Sequence, residues 1–250
     1  MDWLLVAATE GEIRPFLNRL EAVCRKQEAV CCRDQGLPAG VSVRSFYWGD
    51  QRGDVLITGV GLPFTALRLG AFFSGRRALG QAPYALVVHA GIAGSFDRRY
   101  SLGTVVEVVA DGFADLGAEQ ADGRFADLFE LGLLGADKGL FGEEGYLYNT
   151  RPVFASQLPQ LRGISVNRVH GYQPSINALL ERYERFPPQI ESMEGAAFFL
   201  SCLTFEQPFT ALRAVSNFVE PRDKEAWDIP LAVERLGDFL CSALLPERRD

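Results

Sequence analysis

The sequence predicts an α/β fold, a central mixed, twisted sheet flanked by helices in three layers, forming one domain over residues 1–250. Three observations carry this. Short apolar runs alternate along the chain with longer amphipathic stretches, the pattern of strands joined by helices that cover a sheet. The composition is that of an ordinary globular protein, 48% hydrophobic and 23% charged, which excludes disorder. At 250 residues a chain buries roughly three quarters of its unfolded surface, so its core needs no disulfide or metal staple.

The elements follow in order. Trp3 to Ala8 is wholly apolar and reads as a buried strand; Glu10 to Val23 is an amphipathic helix with Thr9 in the cap position. Val41 to Trp48 and Asp54 to Gly59 read as strands paired through the turn Gly49-Asp50-Gln51-Arg52-Gly53. Pro63 opens a helix to about Leu79, because its fixed φ suits the first helical turn. Tyr84 to His89 is an apolar strand that ends in a glycine-rich turn, Gly91-Ile92-Ala93-Gly94. Thr104 to Ala110 and Ile164 to Val169 are strands, and Ser175 to Arg185 and Glu194 to Phe205 are helices. Phe209 to Ser216 is a further strand, and about Lys224 to Leu244 a closing helix. Asp115 to Tyr148, rich in Gly, Asp and Glu, carries no clear period.

Charge and composition exclude several functions. A net charge of −7 opposes general binding to nucleic acid or to an anionic membrane surface. Apolar runs such as Tyr84 to Ile92 are far shorter than the about 20 residues that span a bilayer. The segment Met1-Asp2-Trp3-Leu4-Leu5-Val6 has no basic region and no cleavage signal. The five cysteines, Cys24, Cys31, Cys32, Cys202 and Cys241, are odd in number and two are adjacent, a poor disulfide framework. A reduced, cytoplasmic protein is expected. His89 and His170 are the only histidines, and no Cys or His pair has zinc-like spacing; neither a metal nor a cofactor is expected.

Five segments could carry chemistry. In Ala8-Thr9-Glu10-Gly11-Glu12-Ile13 two acids follow the first strand, where α/β sheets bind ligands. Both also suit a helix start, and residues two apart do not share a helix face, so at most one points into a site. Thr58-Gly59-Val60-Gly61-Leu62-Pro63 lacks the third glycine of the dinucleotide fingerprint and reads as a tight turn. Gly91-Ile92-Ala93-Gly94 could offer backbone N–H groups to a purine, a sugar or an anion, while His89 before it reads as a core histidine. Glu194 begins an apolar helix and is followed by Gly195-Ala196-Ala197. Its carboxylate could accept from both hydroxyls of a ribose, or the segment could simply permit close packing. Arg213-Ala214-Val215-Ser216-Asn217 runs from an apolar strand into polar residues, with Asn217 either a turn residue or a two-way reader of a heterocycle.

In this order the segments resemble the nucleoside phosphorylase/nucleosidase superfamily, from Val6 to about Val233, and within it the futalosine hydrolase family of menaquinone synthesis. The resemblance implies a nucleoside phosphorylase-like fold and a small purine nucleoside as substrate. It gives Glu12 the water-activating role that the related methylthioadenosine/S-adenosylhomocysteine nucleosidases assign to a carboxylate here. It places Thr9, Ile92, Ala93 and Gly94 beside sugar and base, Met193 and Glu194 at the ribose hydroxyls, and Ser216 and Asn217 at the purine. His170, in Gly163-Ile164-Ser165-Val166-Asn167-Arg168-Val169-His170-Gly171, falls on the base-binding strand and loop. The resemblance also implies a homo-oligomer, a dimer by preference.

Adenine-cleaving relatives have Asp where this chain has Asn217. An amide NH2 can donate to a 6-oxo group while its carbonyl accepts from a protonated N7, so hypoxanthine is the expected leaving group. No Gly-Asp-Pro-x-Arg segment of the trimeric phosphorylases stands near the start, which favours water over phosphate as nucleophile. An adenine-type nucleosidase or a purine nucleoside phosphorylase is the second reading, and a non-catalytic nucleoside-binding protein the third.

Overall fold

A computed structural model describes residues 2–26, 31–33, 43–48, 51–134, 139–142 and 145–245. It is a mixed α/β fold, as the sequence predicts. The chain runs β1 (Trp3–Ala7), a single 3₁₀ turn (Gly11–Ile13), α1 (Arg14–Lys26), β2 (Cys31–Arg33), β3 (Val43–Trp48), β4 (Gln51–Ile57) and α2 (Leu62–Ala78). There follow β5 (Leu86–Ser95), β6 (Val105–Phe113), β7 (Gly117–Glu119), β8 (Phe125–Asp127), β9 (Tyr146–Tyr148), β10 (Gln160–Ser165) and α3 (Gln173–Arg182). Last come β11 (Ile190–Ser192), α4 (Gly195–Thr204), β12 (Phe209–Phe218) and α5 (Ile229–Leu244).

The main sheet has the order β11-β10-β6-β12-β5-β1-β4-β3-β2. β1 lies parallel between β4 and β5, and β12 runs parallel to β5 but antiparallel to β6. β11 pairs with β10 on one side and antiparallel with β5 on the other, so this end of the sheet bends back on itself. Alternation along β1 assigns its two faces. Trp3, Leu5 and Ala7 pack in one apolar cluster with Phe16 and Leu17 of α1 and Leu236 and Leu240 of α5. Leu4 and Val6 pack in another with Leu69 and Phe72 of α2 and Phe198 and Phe199 of α4. Among the described residues no helix is long and apolar enough to cross a membrane.

The structure differs from the expected elements where glycines and caps decide. Gly91 to Gly94 is no turn. It is the continuation of β5, paired with Arg213 to Asn217 of β12. A glycine inside a strand commonly marks a close approach, and here a Cβ at Gly91 would meet the Glu12 Oε1 at 3.0 Å. The strand expected over Ile164–Val169 ends at Ser165, because the Asn167 N–H bonds to the Asp115 carboxylate at 2.6 Å and turns the chain out of the ladder. The last helix starts at Ile229: Asp228 caps it by accepting from the Leu231 N–H at 3.0 Å, and Pro230 occupies its first turn. The expected turn at residues 49 and 50 and the start of β3 at 41 and 42 lie outside the described residues, although Trp48 pairs with Gln51 as a hairpin requires. Among the described residues of Asp115–Tyr148 stand three strands of three residues each, β7, β8 and β9, too short to show a period of two.

Candidate active site

A cavity of about 560 Å³ opens where β1, β5 and β12 end, in the size range of small-molecule sites. All ten residues picked from the sequence line it: Thr9, Glu12, Ile92, Ala93, Gly94, His170, Met193, Glu194, Ser216 and Asn217.

Glu12 is placed by its own backbone turn. Its N–H donates to the Thr9 hydroxyl at 3.4 Å, while its Oε2 accepts from the Thr9 N–H at 3.0 Å and hydroxyl at 3.1 Å. This reciprocal arrangement is a capping box. The other oxygen, Oε1, accepts from the Ile92 N–H at 3.3 Å. Glu10, by contrast, faces out and pairs with Arg14 at 3.3 Å and Arg44 at 2.9 Å. Only one of the two acids turns into the cavity, as helical spacing requires.

Glu194 sits just before α4 and is 7% exposed. Its Oε1 accepts from the Gly61 N–H at 2.8 Å. Gly59 and Gly61 have φ of 82° and 99°, a left-handed region that favours glycine. The Gly59–Gly61 turn is thus a tight turn and also a support for a cavity carboxylate, a role its sequence did not signal. Burial raises the Glu194 pKa, and the Arg213 guanidinium and the Gly61 N–H pull it back.

Arg213, 1% exposed, lies behind the cavity. Its Nη2 donates to the His89 Nδ1 at 2.9 Å and its Nη1 to the Leu212 carbonyl at 3.0 Å. Burial lowers the guanidinium pKa, opposed by the negative charges of Glu194, Asp111 and Glu12. His89 is fully buried, its pKa lowered by burial and by Arg213, and its ring packs on Phe198 at 4.5 Å between centroids. It is a neutral core histidine that holds Arg213. Asp111, beneath Glu194, is pushed up to about 7, chiefly by burial. It accepts from the Ser165 hydroxyl at 2.8 Å, and that hydroxyl also accepts from the Ala196 N–H at 2.8 Å. A Cβ at Gly195 would stand 1.9 Å from the Asp111 Oδ2, so the small residue after Glu194 is required by this carboxyl.

Asn217 stands just past a bulge at Ser216, which breaks the β12–β5 register between Val215 and Asn217 and re-aims the side chain, as bulges beside sites do. Its Nδ2 donates to the Phe218 carbonyl at 3.0 Å and its Oδ1 accepts from the Ser216 hydroxyl at 2.9 Å. A carbonyl only accepts, so the contact with Phe218 fixes which end of the amide is nitrogen. One N–H and one lone pair remain free for a ligand. The cavity also contains residues that the sequence did not single out, among them Val60, Val169, Glu191, Arg222 and Trp227. Arg213 lies within the segment Arg213-Ala214-Val215-Ser216-Asn217, but its role, like that of Glu191, depends on strand neighbours that no local pattern reveals.

The relatives of this α/β chain make it a nucleosidase, an enzyme that acts on an N-glycosidic bond. No family model matches the chain. It belongs to the futalosine hydrolase family. It is 36% identical to the futalosine hydrolase of Streptomyces coelicolor over 193 residues, which cover 74% of this chain and 75% of that relative. It is 35% identical to that of Acidothermus cellulolyticus over 189 residues, 73% and 71% of the two chains. Among solved structures, the futalosine hydrolase of Helicobacter pylori superposes with a TM-score of 0.68 at 17% identity over 97% of this chain and 96% of that one. The 5′-methylthioadenosine/S-adenosylhomocysteine nucleosidase of Helicobacter pylori, solved with butyl-thio-DADMe-Immucillin-A, gives 0.69 at 16% identity over 97% of each.

Proposed function

We propose that this chain hydrolyses the N-glycosidic bond of futalosine, releasing hypoxanthine and dehypoxanthine futalosine in menaquinone biosynthesis. The observation that carries the proposal is that Glu12, Glu194 and Asn217 line one cavity of about 560 Å³. Cleavage of such a bond develops positive charge on the ribose and negative charge on the departing base. Glu12 orients a water beneath C1′ through its free lone pairs and takes its proton as general base, typically worth about 10²–10⁴-fold. Glu194 binds the 2′- and 3′-hydroxyls beside Met193 and sets a negative charge near the developing cation. Asn217, steadied by Ser216, binds the purine as it gains charge, while Ile92, Ala93 and Gly94 form the floor and Thr9 holds Glu12. His170 stands at the base end.

Water is favoured over phosphate because two carboxylates flank the position of the nucleophile and repel an anion. Arg222 is the one arginine among the described residues that line the cavity. The same reading takes the fold as a single three-layer domain over residues 1–250, supported by the two apolar clusters on opposite faces of β1. The protein acts as a homo-oligomer, a dimer by preference; Phe64 and Leu67 of α2 are 54% and 70% exposed and suit an interface. Free thiols at Cys202 and Cys241 support a cytoplasmic setting.

The test is to incubate the protein with futalosine, inosine and methylthioadenosine, with and without phosphate, and follow free base. Hypoxanthine released from futalosine without phosphate is expected, and Glu12→Gln removes it while nucleoside affinity stays largely intact. Phosphate-dependent release, adenine release from methylthioadenosine alone, or binding without turnover would each overturn the proposal.

A further inference from the structure

Glu191 is a buried carboxylate on the cavity wall that the mechanism above leaves unused. It is 4% exposed. Its Oε1 accepts from the His170 N–H at 2.8 Å, and its Oε2 is paired with the His170 Nδ1. An ionised carboxylate has about four lone-pair sites, so two hydrogen bonds to His170 fix its orientation and leave acceptor capacity on each oxygen.

Strand register fixes where that capacity lies. β11 pairs with β5 at Glu191 and Gly94, and β12 pairs with β5 at Asn217 and Gly94. Paired residues on neighbouring strands project to one face, so Glu191 and Asn217 flank Gly94 on the same face. Two strand spacings put their Cα atoms roughly 10 Å apart. Between them Gly94 has no side chain, and a Cβ there would approach the Asn217 Nδ2 to 3.0 Å. Gly94, Glu191 and Asn217 all line the same cavity, so the amide and the carboxylate can meet two edges of one bicyclic base.

We propose that Glu191, held by His170, is a specificity-determining residue that accepts a hydrogen bond from the N1–H of a 6-oxopurine. The inference rests on the reading of the site as a purine nucleosidase and deepens it. A 6-oxopurine presents in sequence N7, the O6 acceptor and the N1–H donor. Asn217 serves the first two, and only an acceptor serves the third. A 6-aminopurine carries a lone pair at N1, which would face the carboxylate as a second acceptor with no proton between them. The wall therefore selects the base at two points, and the asparagine alone accounts for only part of the selection.

The experiment compares kcat/KM for futalosine and for its 6-amino analogue in the wild type and in Glu191→Gln. The amide keeps the volume and can still accept from the His170 N–H, but it brings a donor to the wall. The ratio of the two kcat/KM values is expected to fall at least about tenfold. A merely structural role lowers both values together, and an unchanged ratio would overturn the proposal. Calorimetry on the wild type gives a second measurement should the variant not fold. Hypoxanthine is expected to bind at least about tenfold more tightly than 1-methylhypoxanthine, and equal affinities would overturn the inference. A wild type that cleaves no futalosine defeats the proposed function, whereas turnover with an unmoved ratio defeats only the role of Glu191.

Discussion

Thr9 and Glu12 hold each other: the threonine N–H and hydroxyl both reach one carboxylate oxygen, at 3.0 and 3.1 Å, while the glutamate N–H reaches back to the hydroxyl at 3.4 Å. The capping box that starts the first helix is therefore also the mount of the proposed general base. Only Oε1, held by the Ile92 N–H, remains to address a water.

Thr9→Val keeps the shape and removes the hydroxyl. The cap loss costs about 1 kcal/mol of stability. The freed carboxylate also loses its aim, and a misplaced base is expected to lower kcat by about tenfold to a hundredfold with little change in KM. Steady-state kinetics checks this, with Thr9→Ser restoring activity because serine supplies the same donor and acceptor. A fall in stability with kcat untouched would separate the cap from the catalysis.

Asn217→Asp replaces the fixed NH2 with an acceptor while leaving the Ser216 hydroxyl a partner. Preference for 6-oxo over 6-amino nucleosides is expected to narrow by about tenfold. Competition kinetics with the two substrates reads this directly, and an unaltered preference removes the argument from the amide.

Much of this was legible before the structure. Wholly apolar runs such as Trp3–Ala7 declare a strand covered on both faces, and Pro63 marks a helix start by its fixed φ. The segments that hold Glu10, Glu12 and Glu194 stand out because they lie at strand-to-helix junctions, where an α/β sheet presents side chains to a ligand, while the choice of Glu12 over Glu10 comes from the family resemblance. What stayed hidden is nonlocal. Gly91–Gly94 has the composition of a turn, and only its pairing with β12 shows that the glycines are spaces for Glu12 and Asn217 inside a strand. β11 is three residues long and buried, so nothing local distinguishes it from a loop, and the pairing of Glu191 with Gly94 is invisible without it. Arg213 reads as one polar residue in an apolar strand; its meaning comes from Glu194 and Asp111, far away in sequence.

Arg213 is the cation among three carboxylates, so Arg213→Met removes a charge and leaves Glu194 and Asp111 buried without it. The buried His89 ring nitrogen also loses its donor, and an unsatisfied buried polar group costs about 1–3 kcal/mol, so denaturant unfolding is expected to show a loss of that order. The Glu194 pKa, already raised by burial, rises further without the guanidinium, so the residual activity of the variant shifts to higher pH. A variant of near wild-type stability with an unmoved pH–rate profile would mean that Glu194 does not depend on this arginine.

Asp111 makes stability itself depend on pH, with a sign that follows from its burial. In the native protein its pKa is pushed up to about 7 by loss of hydration, against the opposing pull of Ser165 and Arg213; in the unfolded chain an aspartate titrates near 4, or about 3.9 in model peptides. Across that window the native state holds a proton that the unfolded chain has released, so this group's contribution to stability is full below about pH 4, declines as pH rises and is lost above about pH 7. Asp111→Asn keeps a carbonyl acceptor for the Ser165 hydroxyl but cannot ionise. The stability difference, wild type minus variant, is therefore expected to fall by roughly 3–4 kcal/mol between pH 4 and pH 8, read from denaturant midpoints at fixed ionic strength. A difference that stays constant across the window would show that the carboxyl beneath Glu194 does not change charge there.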